Sequence, residues 1–305
     1  MMRAAAQGGP TAPSEMDLAL FGGAPDTAER RARAALCPRL LALFEARMTH
    51  LGIATPDTAF LTELALPLMR YLTPRIEDRA RPFVIGLAGG PGAGKTTLSA
   101  LLADLLPASV APTPRCLSLS IDDFYYSAEV RAHRGLPWRT LPGSHDTDRI
   151  AQVLSEIDRS AAPLHIPRYD LGSDAPLPDE VLEQPPDICV FDGAMIGSRL
   201  PGYDVLARRL DMLVYLDVPL PLLKEWRFAR EARLRASSQG RLGYEPAKMQ
   251  AFWDEALAPS VIHHVRVNMV DADLVIELRE GRRLVGARLQ GQSGPEPGIE
   301  RAHPI

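Results

Sequence analysis

One stretch constrains the fold more than any other: Gly89-Gly90-Pro91-Gly92-Ala93-Gly94-Lys95-Thr96, followed by Thr97. It matches G-x-x-x-x-G-K-[ST] in full. The apolar run Phe83–Ala88 precedes it, and the helical pattern TTLSALLADLL follows it. In that setting the glycines let backbone N–H groups converge on phosphate oxygens without obstruction by Cβ atoms. The helix N-terminus adds partial positive charge. Lys95 would neutralise the β- and γ-phosphates, and the Thr96 hydroxyl would face Mg²⁺. A chain with this element needs a strand and a helix meeting at a sheet edge.

Further apolar runs fit that need. CLSLSI (Cys116–Ile121), DICVFD (Asp187–Asp192), DMLVYLD (Asp211–Asp217) and ADLVIEL (Ala272–Leu278) are short and apolar on both alternating faces. That pattern suits strands of a parallel sheet covered on both sides. Helical stretches such as RIAQVLSEIDR lie between several of them. The expected fold is therefore α/β, a three-layer doubly wound arrangement with a mostly parallel sheet. After Leu278, REGRRLVGARL reads as a turn and a return strand. Two long polar stretches, 122–148 and 166–186, interrupt the scheme where α/β proteins place ligand loops.

Ahead of this unit, Thr27 to about Asp78 has helical periodicity, with Pro67 a point for a kink. The expected organisation is a mobile tail over 1–26, a helical extension over 27–80, the catalytic domain over 81–289, and a second mobile tail over 290–305.

Composition narrows the setting. The net charge of -4 over 305 residues argues against nucleic acid as the main partner. No run approaches about 18 uninterrupted apolar residues, so no membrane span is expected. The cysteines, Cys37, Cys116 and Cys189, match no zinc or redox spacing and read as core thiols of a reducing compartment. Together with the absence of a signal-like N-terminus, this makes the cytosol the expected location.

Two carboxylates stand at strand ends. Asp122 follows the strand after the glycine-rich loop, where it can accept a substrate hydroxyl proton or hold a Mg²⁺-bound water. A helix cap is the plainer reading. Asp123, one residue on, points elsewhere or shares the site. Asp192 closes ICVFD like a Walker B carboxylate, which positions Mg²⁺, although strand ends favour Asp for turn reasons too. No Asn-Lys-x-Asp base-recognition motif is present to indicate a GTPase.

With these residues in place, the P-loop followed by Ser120-Ile121-Asp122-Asp123-Phe124-Tyr125 resembles a branch of P-loop kinases. That branch includes uridine kinase, phosphoribulokinase, pantothenate kinase and plant-type glycerate kinase. Pro142-Gly143-Ser144-His145-Asp146, Pro167-Arg168-Tyr169-Asp170, Phe191-Asp192-Gly193-Ala194-Met195-Ile196-Gly197 and Trp226-Arg227 with Arg230-Glu231 are similar to elements of the last, in its order. The resemblance implies an ATP- and Mg²⁺-dependent kinase of a small hydroxylated metabolite, D-glycerate foremost. It places Asp123, Tyr125, His145, Asp146, Arg168 and Tyr169 on the acceptor side, with Arg168 a cation for a substrate carboxylate. It also implies a mobile lid in which Arg230 and Arg233 steady the transferring group, with Gly240 and Gly243 as hinges. The plainer alternatives are a surface role for Arg168, a loop-stabilising role for His145 and Asp146, and a solvated charged helix around Arg230. Asp192 stands where that family has Glu, Ala194 where it has Trp, and the stretch after Asp170 departs from its pattern. A nucleoside, pantothenate or a sugar phosphate thus remain alternative acceptors. From another class, the chain could be a nucleotide-dependent switch or assembly ATPase.

Overall fold

The apolar runs become a single sheet because most of them offer buried side chains to both faces. In the computed structural model, which describes residues 27–53, 56–77 and 82–289, six strands run in the order β2-β5-β1-β6-β7-β8. They are β1 (Phe83–Gly89), β2 (Cys116–Ser120), β5 (Ile188–Asp192), β6 (Met212–Asp217), β7 (Leu274–Arg279) and β8 (Arg283–Leu289). All neighbours pair in parallel except β8, which returns antiparallel on β7. Alternation then assigns the faces. Ile85, Leu87, Val190, Val214 and Ile276 enter one core, while Val84, Cys189, Phe191, Tyr215 and Val275 enter the other.

Helices close both sides. The first core receives α1 (Thr27–His50), α2 (Leu66–Glu77), α3 (Lys95–Leu105) and α7 (Leu220–Ser237) through Phe44, Leu68, Leu98 and Leu223. The second receives α5 (Thr147–Asp158) and α6 (Asp204–Arg209) through Ile150, Val153, Leu154, Ile157 and Leu206. Two short helices complete the set used below, α4 (Ala128–His133) and α8 (Pro246–Phe252). The fold is thus the expected three-layer doubly wound one. The N-terminal helices share the sheet's core rather than owning one. Arg47 adds a two-point pairing to Asp104 of α3, with both contacts at 2.6 Å. Near Pro67 the helix changes its bonding register: a π-type turn, Phe60–Ala65, precedes α2. The missing proline N–H leaves the i→i−4 ladder open there.

One expectation needs correcting. The polar stretch 166–186 contains a two-stranded antiparallel hairpin, β3 (Leu164–Asp170) with β4 (Ala175–Leu182). β4 reads APLPDEVL and is almost wholly exposed, so it carries no apolar alternation and two prolines. Its strand character comes from pairing to β3 alone. The two expected tails, 1–26 and 290–305, and the Cys37 side chain lie outside the described residues. Cys189 is a buried thiol, and burial pushes it up to about 12, so it is inert. No helix among the described residues is long and apolar enough to cross a membrane.

Candidate active site

In a parallel sheet all carboxyl ends face one edge, and here that edge gathers the chemistry. β1 delivers Gly89–Lys95, β2 delivers Asp122 through a 3-10 turn (Ile121–Phe124), and β5 delivers Asp192. α7, which follows β6, roofs the glycine-rich loop. A Cβ on Gly90 would stand 2.2 Å from Leu223 Cδ1. At Gly92 the backbone has φ 87, and a Cβ there would lie 3.1 Å from the Arg227 backbone nitrogen. Gly92→Ala is therefore expected to cost the fold about 1–2 kcal/mol from the left-handed backbone alone. Scanning calorimetry should show a lower Tm, and an unchanged Tm would refute the packing described.

Within the loop, Lys95 Nζ donates to Gly90 O at 2.9 Å. Burial pushes its ammonium below the ordinary value. Asp192 and Asp122 oppose that shift, and Arg230 and Arg227 add to it. Lys95, Asp122, Asp192, Arg227 and Arg230 thus lie within one another's electrostatic reach. Thr96 Oγ1 donates to Asp192 Oδ1 at 2.8 Å, while Asp192 Oδ2 is buried with no hydrogen-bond partner. Burial raises the Asp192 carboxyl, against the pull of Lys95 and the Thr96 hydroxyl. Among the described residues no cluster of three or more His, Cys, Asp or Glu could hold a metal by itself. A hydroxyl beside one free carboxylate oxygen is instead the donor set Mg²⁺ uses when phosphates and waters fill its other positions. Thr96 and Asp192 fit that ion.

On the acceptor side, the Asp122 carboxylate takes a hydrogen bond from the Tyr125 hydroxyl, whose pKa is raised first by burial and then by Asp122. The Tyr125 ring stacks on His145 with centroids 4.3 Å apart, and Tyr169 meets its edge at 5.6 Å. His145 is held through one ring nitrogen. Tyr203 Oη accepts from Gly143 N at 3.1 Å and sits 2.7 Å from His145 Nδ1. One proton joins the two, carried by either Tyr203 Oη or His145 Nδ1. Burial drives the His145 pKa down to about 4, so the ring is neutral at pH 7. Nε2 is buried without a partner.

Other expected residues have local duties. Asp123 Oδ2 pairs with Arg168 Nη1 at 2.9 Å, and its Oδ1 accepts from the Tyr169 backbone at 3.3 Å. Arg168 also holds Glu180 at 2.7 Å, so both carboxylates already meet its charge. Tyr169 bonds Asp174 and Arg131, each at 2.8 Å. Asp146 caps α5, accepting from Arg149 N at 3.0 Å. The arginines of α7 divide. Arg230 is exposed and its charge reaches Lys95, whereas the charged neighbour of Arg233 is Arg282, stacked over Trp226 at 4.6 Å. Arg227, which the sequence ranks below Arg230 and Arg233, is the most enclosed of the three. Its Nη2 pairs with Glu231 at 2.8 Å, and its Nε has no partner.

The family model described as Phosphoribulokinase / Uridine kinase family matches residues 84–283. The chain belongs to this family. Two curated relatives carry the name pantothenate kinase. The one from Rhodopseudomonas palustris is 32% identical over 168 residues, 52% of this chain and 53% of its own length. The one from Nitrobacter hamburgensis is 30% identical over 205 residues, 65% of this chain and 59% of its own. The chain thus spans between half and three fifths of these relatives. The solved structure of the YGR205w protein superposes with a TM-score of 0.59 at 18% identity, covering 73% of this chain and 97% of that one. That likeness concerns the fold alone.

Proposed function

We propose that the chain is an ATP-dependent kinase that transfers the γ-phosphoryl group to a hydroxyl of a small metabolite, D-glycerate first among candidates. The observation that carries this reading is a set of three buried polar atoms without partners, on residues that all feel the Asp122 charge: Asp192 Oδ2, Arg227 Nε and His145 Nε2. Unpaired buried polar groups are costly, so such a set is expected where a ligand completes it. An ion, a phosphoryl oxygen and an acceptor oxygen are the matching occupants.

The roles then follow from position. The P-loop backbone and Lys95 hold the triphosphate, and Thr96 and Asp192 hold Mg²⁺, which when bound neutralises charge on the β- and γ-phosphates. Asp122, oriented by Tyr125, takes the proton from the acceptor hydroxyl. Arg227 and Arg230 meet the charge on the transferring group, and α7 over the loop keeps water away. His145 Nε2 hydrogen-bonds a second polar group of the acceptor. Arg168 can receive an acceptor carboxylate by exchanging Glu180, the more exposed of its two partners.

Pantothenate is the second reading, supported by the names of the two relatives. It shares with glycerate a hydroxyl and a carboxylate on one small molecule. A panel of D-glycerate, pantothenate, uridine and ribulose 5-phosphate with Mg-ATP, followed by ADP release, decides between them. Glycerate is expected to stimulate most. Stimulation by uridine or the sugar phosphate alone would remove the hydroxy-acid assignment. Acceptor-independent hydrolysis alone would favour a switch.

A further inference from the structure

Resting on the kinase reading, we propose that Arg139 is a positioning residue that links the acceptor pocket to Arg227, the arginine over the P-loop. Arg139 lies in the loop ahead of His145, with its side chain only 10% exposed. Its Nη2 donates to the Tyr244 hydroxyl at 2.8 Å, and its Nη1 donates to Leu171 O at 2.9 Å. Nη1 also stands 3.3 Å from Asp174 Oδ1. One planar guanidinium thus joins the loop between α7 and α8 to the turn of the β3–β4 hairpin, a geometry that a lysine ammonium cannot reproduce.

Each end of this link leads to the chemistry. Toward the phosphates, the Tyr244 backbone N–H donates to Glu231 Oε2 at 3.0 Å, and Glu231 Oε1 holds Arg227 at 2.8 Å. Toward the acceptor, Asp174 takes the Tyr169 hydroxyl at 2.8 Å and Arg131 at 2.6 Å. Tyr169 packs on Tyr125, which bonds Asp122. The path from Asp122 to Arg227 is therefore continuous, and Arg139 is the member that bridges its two halves.

The backbone beside Arg139 is built to hold it. Thr140 adopts φ 74, a left-handed conformation that a β-branched residue enters only under constraint. On the other side, Trp138 stacks on Phe252 with centroids 4.9 Å apart and donates to Glu255 at 2.9 Å. The arginine is fixed from both sides, as expected for a residue whose placement matters.

A double-mutant cycle on Arg139→Met and Tyr244→Phe tests the link. Three quantities are read: acceptor-dependent transfer, acceptor-independent ATP hydrolysis, and nucleotide Kd. Each single change is expected to lower kcat for transfer about tenfold and to raise the hydrolysis-to-transfer ratio, with nucleotide Kd held within about twofold. The double variant should be no worse than either single one. Losses that multiply, or an unchanged hydrolysis-to-transfer ratio, would overturn the proposal. Should Arg139→Met fail to fold on thermal melting, Arg139→Lys replaces it in the cycle with the same expectations, because its single ammonium cannot bridge both loops. Wild-type protein inactive toward every acceptor would instead overturn the kinase reading, so the two failures are distinct.

Discussion

Asp122→Asn is expected to lower phosphoryl transfer by about 10²–10⁴-fold, the usual contribution of a positioned base. Asparagine keeps the volume and can still accept the Tyr125 hydrogen bond, so the local fold should survive. The backbone hold is also untouched: Asp122 N donates to Ser120 Oγ at 3.3 Å, whatever side chain follows. What disappears is the capacity to receive the acceptor proton. Nucleotide binding should hold or tighten, because removing one carboxylate charge leaves the field of Lys95 less compensated. Single-turnover transfer and a nucleotide titration on the same preparation separate the two effects. Near-wild-type transfer with intact binding would assign Asp122 to another duty, and the acceptor base would have to be sought elsewhere.

How much of this was readable beforehand depends on what each element pairs with. The parallel strands were legible because burial on both faces leaves continuous apolar runs such as Ile188–Val190, whose residues are fully buried. The P-loop was legible because its chemistry requires fixed residue types at fixed spacing. β4 was not legible, since an exposed strand held only by its hairpin partner needs no apolar pattern. Asp122 stood out in sequence by its place at the strand end, while the direction of Asp123 was open; a 3-10 turn separates them, so that one faces Lys95 and the other meets Arg168. The arginines of α7 illustrate the same limit. A spacing of three advances about 300° per step at 3.6 residues per turn, so three such residues fan out rather than align. Arg230 stays near the P-loop while Arg233 turns toward Arg282. Arg139 left no sequence signal, because its role arises from loops distant in the chain that meet only in the folded molecule.

That fan sets an order of importance on α7 that the second large effect should reveal. Arg227→Met is expected to reduce kcat by about 10³-fold or more, in the range of arginines that stabilise a transferring phosphoryl group. Methionine retains most of the apolar stem, so packing against the P-loop is largely kept and the loss reports the guanidinium. Arg227 is the member whose Nε is buried without a partner while Glu231 fixes Nη2 at 2.8 Å, so one N–H is held in place for an incoming oxygen. Arg230→Met should cost less, since its exposed side chain contributes charge through solvent. Arg233→Met should stay within about threefold of wild type, as expected for a surface charge outside the site. Steady-state kinetics at saturating Mg-ATP and acceptor would measure all three. Equal losses at Arg227 and Arg233 would mean that α7 presents a different face to the phosphates during turnover.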